Sequence, residues 1–352
     1  MIQYQLKLKL TLRQERQLNR WLWHLSSVYN WGIRKIGQDA RDGVFYTRMG
    51  FQNLLNAHGK RIGIPQDAIY GTLDTAYYAW QKCFKKLARK PKLKGYRNRL
   101  NSIAFAHGTR VTNGRVHVPL LGRVRFHKQQ IPEGHIGQFR LINRASGWYA
   151  CLSIQAEPKA IPHIADGQIG IDSGFSTLLT LSNGGKVAHP RELEASALRL
   201  GQSQRGLNRK LTVRIQERIT NQRKDRNHKL SRKLVSENSL IAFSADRHSA
   251  IAKRFGKSVT SSGHGQLRSM LSYKAKCRTD GHVVYVEVDS RNSTRTCSAC
   301  GALTGPQGLA GLKVRLWKCS ACGAEHDRDI NAAINTLHVG AGLAHETLAT
   351  AA

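Results

Sequence analysis

The sequence predicts a multidomain α+β protein, and three observations carry that prediction. A period-2 strand at residues 2–10 leads into a helical stretch, 11–91, and then into short strands up to residue 157. Beyond a proline-bearing linker, strands and helices alternate from Gly167 onward. That later part is interrupted by two C-x-x-C pairs, Cys297/Cys300 and Cys319/Cys322.

The first strand places Ile2, Tyr4, Leu6, Leu8 and Leu10 on one face and Gln3, Gln5, Lys7 and Lys9 on the other. It has no signal-peptide apolar core. A helix begins at Thr11, with Leu18, Trp21, Leu22, Leu25, Val28 and Tyr29 as its apolar stripe. Residues 47–58 and 65–91 predict further helices. Strands follow at Ile103–Phe105, Arg115–Val118, Arg123–Phe126, Gly137–Leu141 and Trp148–Ile154, several of them separated by turn residues such as Asn113-Gly114. Together with strand 2–10 they make a small β-barrel into which the helical module is inserted. Pro158 and Pro162 mark the linker, Glu157 to Gly167.

At Gly170-Ile171-Asp172 an aspartate sits in an apolar strand that turns back through Thr177–Leu181. A buried carboxylate needs a partner or a metal, and ligation is the better account of Asp172. Residues 191–235 predict a basic helical hairpin that includes Arg209 and Lys210. A strand at 240–244, a helix at 264–279 and a strand at 282–289 follow.

Lys and Arg total 56 against 22 acidic residues, a formal net charge of +34. Such a charge opposes compaction unless a polyanion neutralises it, so nucleic acid is the expected partner. No apolar run of about eighteen residues predicts a membrane span. Between Asp74 and Glu133 there is no acidic residue at all. Within that interval Lys85, Lys86, Arg89, Lys90, Lys92, Lys94, Arg97 and Arg99 form a basic run, with Phe84 and Tyr96 interleaved to stack on bases.

The two C-x-x-C pairs have zinc-ribbon spacing, and four thiolates close a tetrahedron with no open position, so the zinc is structural. Seven cysteines, four of them ligand-spaced, fit a reducing cytoplasm. Asp327 and Asp329 follow, at the start of a helix carrying Ile330, Ala332, Ala333, Ile334 and Leu337. The helix dipole alone accounts for acids in a first turn.

Tyr29-Asn30-Trp31, Gly122–Phe126, Gly170-Ile171-Asp172, Phe255-Gly256-Lys257-Ser258, Leu271–Ala275 and Cys297–Ala333 occur in that order. With them the chain resembles the TnpB family, transposon-encoded RNA-guided DNA nucleases related to type V CRISPR effectors. The resemblance implies a wedge-type β-barrel (1–10 and 92–160) with an inserted helical recognition lobe (11–91). It further implies an RNase H-like (RuvC) nuclease domain (167–290 and 325–340), interrupted by the ribbon (291–324) and followed by a tail (341–352). Implied partners are a guide RNA and a double-stranded DNA target, in a prokaryotic cytoplasm at the nucleoid. The implied chemistry is phosphodiester hydrolysis with two Mg²⁺, held by clustered carboxylates. Asp172 matches the first acid and Asp329 the last, with Asp327 the lesser choice. The family's middle glutamate falls where this chain has Ser244. Asp246, two residues on, or Glu287, on a neighbouring strand, takes over from it. The alternative is a nuclease-dead RNA-guided DNA-binding protein that represses transcription.

Overall fold

The computed structural model describes residues 2–105, 107, 109–157, 159–189, 192–245, 256, 259, 261–279, 283–307, 311 and 313–351. The chain divides into two compact units, Met1–Pro158 and Lys159–Ala352.

In the first unit, strand β1 (Ile2–Lys9) runs into helix α1 (Leu12–Asp39). Thr11 ends the strand because its side chain accepts the Gln14 amide while the Gln14 side chain accepts the Thr11 amide, a reciprocal cap. Short helices α2 (Arg48–Asn53) and α3 (His58–Ile62) lead to α4 (Gln66–Phe84). The helix expected over 65–91 stops at Phe84. Lys86 adopts a left-handed conformation (φ 55°), and the Leu87 amide bonds back to the Lys82 carbonyl at 2.9 Å, which closes the helix end.

Strands β2 (Ser102–Phe105), β3 (Val111–Thr112), β4 (Arg115–Val118), β5 (Gly122–Phe126), β6 (His135–Arg144) and β7 (Gly147–Gln155) join β1 in an antiparallel sheet ordered β2-β6-β7-β1-β5-β4-β3. β1 belongs to both halves: residues 2–7 pair with β7, and Leu8 and Lys9 pair with β5. Among the described residues no pairing joins β2 to β3, so the hydrogen bonds define an open order. Its apolar face and the stripe of α1, including Leu18, Trp21, Leu22 and Leu25, share one core with Ile69, Leu73 and Trp80 of α4.

The second unit begins with the linker, which is tied down from Ile161 onward. The Ile161 amide donates to Cys277, and the Thr279 amide donates to Ile161. Strands β8 (Gly167–Ser173), β9 (Thr177–Leu181), β10 (Lys186–Ala188), β11 (Asn238–Ser244) and β12 (Val284–Val288) form a sheet ordered β10-β9-β8-β11-β12. β8 runs antiparallel to β9 and parallel to β11, and β11 runs parallel to β12. The basic hairpin is α5 (Glu192–Arg205) and α6 (Arg209–Glu237), and α7 spans His264–Ala275. Two short strands, β13 (Leu316–Lys318) and β14 (Glu325–Asp327), pair within the cysteine segment and lead into α8 (Arg328–Ala351). The residues expected to form a tail, 341–352, continue α8 as far as Ala351.

Helices cover the two faces of this sheet. Ile169, Ile171, Ile241 and Phe243 pack with Leu234 of α6 and with Leu267 and Leu271 of α7. Gly170 and Ala242 face α8 instead: a Cβ on Gly170 would meet Ala333 and Leu337, and one on Gly340 would meet Ala242 and Val286. No helix among the described residues is long and apolar enough to cross a membrane.

Candidate functional site

Strand parity decides which acids share a face, since successive side chains point to opposite sides. Asp172 lies two residues beyond Gly170 and so faces α8. Phe243 pairs with Ile171 on one side and with Glu287 on the other. Ser244, one step on, therefore lies beside Asp172, with Val288 beyond it. Asp329 occupies the first turn of the helix that covers this face.

Asp329 is set there by its neighbour. Asp327 Oδ1 accepts the amides of Asp329 and Ile330 at 3.0 and 3.1 Å, the contacts of an N-cap, and its other oxygen pairs with Lys186 Nζ at 2.6 Å. Burial raises the Asp327 carboxyl, but the bonds from Lys186, Ile330 and Asp329 outweigh it and hold its pKa below the usual carboxylate range. Capping thus accounts for Asp327. Asp329 itself pairs with Arg315 Nη1 at 2.9 Å and Arg328 Nη2 at 3.3 Å, and Arg315 also donates to Ser176 in the turn after β8.

Ser244 is fully buried. Its hydroxyl accepts the Ser173 amide at 3.0 Å and donates to Ser173 Oγ at 3.3 Å, so the position expected to hold the middle acid is a neutral strand-to-strand link. Glu287 does not replace it. Its register with Phe243 and Ile171 turns it to the α6/α7 face, away from Asp172. There Arg268 of α7 binds both carboxylate oxygens and Tyr285 donates to one of them. The Arg268 guanidinium, opposed by burial and helped by Tyr285, keeps Glu287 below the ordinary glutamate range. The expectation that Glu287 joins Asp172 is corrected on that ground. Asp246 lies outside the described residues, as do Phe255, Lys257 and Ser258.

The cysteines fold as two matched knuckles. The Gly301 amide bonds to the Cys297 carbonyl at 2.8 Å and the Gly323 amide to that of Cys319 at 2.9 Å. Both glycines have positive φ, 80° and 76°, a turn that a side chain would strain. The four sulfurs lie within 4.8 Å of one another. Cys297–Cys322 and Cys300–Cys319 are each separated by 3.7 Å. A tetrahedron of Zn–S bonds near 2.3 Å has edges of about 3.8 Å, so the set fits Zn²⁺. The Thr304 hydroxyl donates to Cys319 Sγ at 3.1 Å, a bond that favours the thiolate a metal needs. Among the described residues this is the one group of three or more His, Cys, Asp or Glu side chains close enough to share an ion.

Asn331, within the Asp329–Ala333 motif, and Asn335, beyond it, have a positioning role. One turn apart on α8, they donate to the Thr296 carbonyl at 2.8 and 2.6 Å, and Asn331 Oδ1 accepts the Ser298 amide. They fasten the first knuckle to the helix that carries Asp329. Their i, i+4 spacing was the signal available in the sequence.

In the first unit Lys85, Lys86, Arg89, Lys90, Lys92 and Arg99 are exposed, and Lys94 is half-buried. The side chain of Arg97 lies outside the described residues. Arg209 and Lys210, exposed in the first turn of α6, belong to the second unit.

Two family models match the chain: "Probable transposase" over residues 152–244 and "Cas12f1-like, TNB domain" over 264–336. A Streptomyces pristinaespiralis protein named "Putative RNA-guided DNA endonuclease" is 32% identical over 277 residues, covering 72% of this chain and 67% of the relative. InsQ of Escherichia coli, described in the same words, is 23% identical over 307 residues, covering 78% and 75%. A TnpB-like protein of Acanthamoeba polyphaga mimivirus is 31% identical over 140 residues, 38% of this chain and 26% of the relative. The solved structure of a Cas12f1–sgRNA–target DNA complex aligns over 96% of this chain and 99% of its own at 15% identity, with a TM-score of 0.39. The family models fall on the strands of Asp172 and Ser244 and on the cysteine tetrad with the start of α8, and the Streptomyces relative extends the match across most of both proteins: the chain belongs to the TnpB family.

Proposed function

We propose that this protein is an RNA-guided DNA endonuclease of a transposable element, acting at the nucleoid of a prokaryotic cytoplasm. The observation that carries the reading is the shared sheet face: Asp172 in the central strand lies under the helix whose first turn bears Asp329. The strand order β10-β9-β8-β11-β12, with three antiparallel strands followed by two parallel additions, supports an RNase H-like (RuvC) nuclease domain over 167–290 and 325–340. The placement of α1 to α4 between β1 and β2 supports a recognition lobe inserted into a wedge-type barrel, although the strand order is open between β2 and β3. The names of the Streptomyces and Escherichia relatives support the substrate class.

Asp172 and Asp329 would hold the catalytic Mg²⁺, since hard divalent cations take carboxylate oxygens. When bound, the ions supply an activated water and stabilise the leaving oxygen. The chain's own contribution is placement. Asp327 and Lys186 set the first turn of α8, Asn331 and Asn335 brace it on the zinc knuckle, and Arg315 links Asp329 to the turn after β8. Asp246 is the remaining candidate for the middle acid. The exposed basic run of 84–99, with Arg209 and Lys210, would neutralise RNA and DNA phosphates.

The test uses the protein purified with its RNA. That RNA is sequenced, a DNA duplex matching its variable end is supplied with Mg²⁺, and Asp172→Ala and Asp329→Ala serve as inactive controls. Guide-dependent cutting abolished by both changes is the expected result. Target binding without any cutting would establish the transcriptional repressor instead. Protein that carries no RNA at low salt would overturn both readings.

A further inference from the structure

The basic run after α4 is not a loose charged segment: its second half is strapped to α1. The Asn30 side-chain amide grips the Lys94 peptide at both ends, accepting its N–H at 2.7 Å and donating to its carbonyl at 2.7 Å. Six residues on, the Leu100 amide donates to Ser26 Oγ at 3.2 Å, one helical turn before Asn30. Between these anchors the chain makes a tight turn, Tyr96–Asn98, closed by the Gly95 amide on Asn98 Oδ1. Lys94 Nζ stands 5.7 Å from the centre of the buried Tyr29 ring, a cation–π contact that holds the ammonium at the surface. At the tip of the turn Tyr96 is 92% exposed, with exposed Lys92 and Arg99 on either side of it in the chain.

An aromatic ring held out from a rigid turn within a cationic segment suits a partner that offers both phosphates and an accessible base face. A duplex keeps its base faces inside the stack, whereas a single strand presents them. We propose that residues 92–100 form a preshaped cradle for single-stranded nucleic acid. In it Lys92, Lys94 and Arg99 take phosphates, Tyr96 stacks on one unpaired base, and Asn30 with Ser26 acts as the positioning pair. Holding the segment in its bound form beforehand spares the ordering cost at the moment of binding. This rests on the reading that the 84–99 run contacts nucleic acid, and it adds the kind of strand and the residues that select it.

The experiment measures binding of the full chain, stripped of RNA at high salt, to labelled oligonucleotides of about 16 residues. The probes are single-stranded RNA, single-stranded DNA of the same sequence and the DNA duplex. Tyr96→Ala should weaken single-strand binding roughly 5- to 100-fold, leave duplex binding within about twofold, and be rescued by Tyr96→Trp. Tyr96 is exposed, so the change should leave the melting temperature alone. Asn30→Ala keeps every charge, so it should lower single-strand affinity without altering the slope of log affinity against log salt. Lys92→Ala should reduce that slope by about one unit. A Tyr96→Ala loss confined to RNA assigns an unpaired stretch of guide RNA, and one confined to DNA assigns an opened DNA strand. If Lys92→Ala flattens the slope but Tyr96→Ala changes nothing, or weakens duplex and single strand equally, the cradle is wrong and the nucleic-acid reading stands. If removing Lys85, Lys86, Lys90 and Lys92 together has no effect on any probe, the underlying reading fails as well.

Discussion

A Cβ placed on Gly170 would stand 2.0 Å from the carbonyl oxygen of Ala333, so the strand that carries Asp172 and the helix that carries Asp329 meet backbone to backbone. The same helix makes a second close approach, to the neighbouring strand β11, where a Cβ on Gly340 would lie 2.3 Å from that of Ala242. Neither contact has a flexible side chain that could yield. The approach of α8 to the sheet is therefore set by glycine twice, once on β8 at Gly170 and once on the helix at Gly340.

Gly170→Ala should accordingly push α8 off β8. Overpacking of this kind costs about 1–3 kcal/mol, so the melting temperature should fall, and cleavage should fall at least about tenfold because Asp329 moves with the helix. Thermal denaturation and the guide-dependent cleavage assay check this together. An unchanged melting temperature would mean that the helix does not rest on the strand as described.

The metal that the cysteine tetrad would hold gives the second expectation. Elemental analysis should find one zinc per chain, and Cys319→Ser should release it. Asn331 and Asn335 tie the first knuckle to α8, so chelation should also loosen that helix. Hydrogen exchange at Asp329 and Ile330 should rise on zinc removal, which a cysteine segment independent of α8 would not produce.

A pH dependence follows from Lys274. Its ammonium is buried between α6 and α7, donating to the His228 carbonyl at 2.6 Å and to Ser231 Oγ at 2.8 Å. Burial, with Arg232 adding to it, lowers its pKa from 10.5 to about 8. Between those values the unfolded chain holds the proton and the folded chain releases it, so this group's contribution to stability rises with pH across the window. Below pH 8 both states are protonated and the contribution is flat. Lys274→Met should remove that rise from the difference in melting temperature between variant and parent, measured from pH 7 to 10.5. An identical pH profile for the two proteins would show that the lysine is not buried as described.

The elements were legible in the sequence where a local signal defined them. Alternation at 2–10 marks β1, the apolar stripe from Leu18 to Tyr29 marks α1, and the cysteine spacing marks the tetrad. The end of α4 was not legible, because basic residues continue to favour helix beyond Phe84 and the left-handed turn falls on a lysine, not a glycine. At the site, the position of Asp172 in its strand could be read directly. The face of Glu287 could not, since it depends on the pairing of Phe243 with Glu287, and register between strands 44 residues apart leaves no local mark. Lys186, which joins Asp327 from 141 residues away, is hidden for the same reason.

That parity also decides the last prediction, which concerns the middle acid. Glu287 points to the α7 face and is held there by Arg268 and Tyr285, so Glu287→Gln should leave guide-dependent cleavage within about twofold. It should lower stability by about 1–2 kcal/mol at most, since a partly exposed ion pair is weakened. Asp246 follows β11, whose last residue, Ser244, lies beside Asp172. In the proposed site two Mg²⁺ would bring four positive charges, against one negative charge each from Asp172, Asp329 and the scissile phosphate. A further carboxylate is needed near balance, and Asp246→Asn should cost at least about a hundredfold in cleavage. Ser244→Glu supplies the acid at the family's own position, at the expense of the bonds to Ser173 and of burying a charge unless the metals take it. It should bind Mn²⁺ more tightly than the parent and should lose stability when the metal is withdrawn. Cleavage by Asp246→Asn at the parent rate would remove Asp246 from the site. Cleavage that appears only in Ser244→Glu would show that the natural protein binds its target without cutting it.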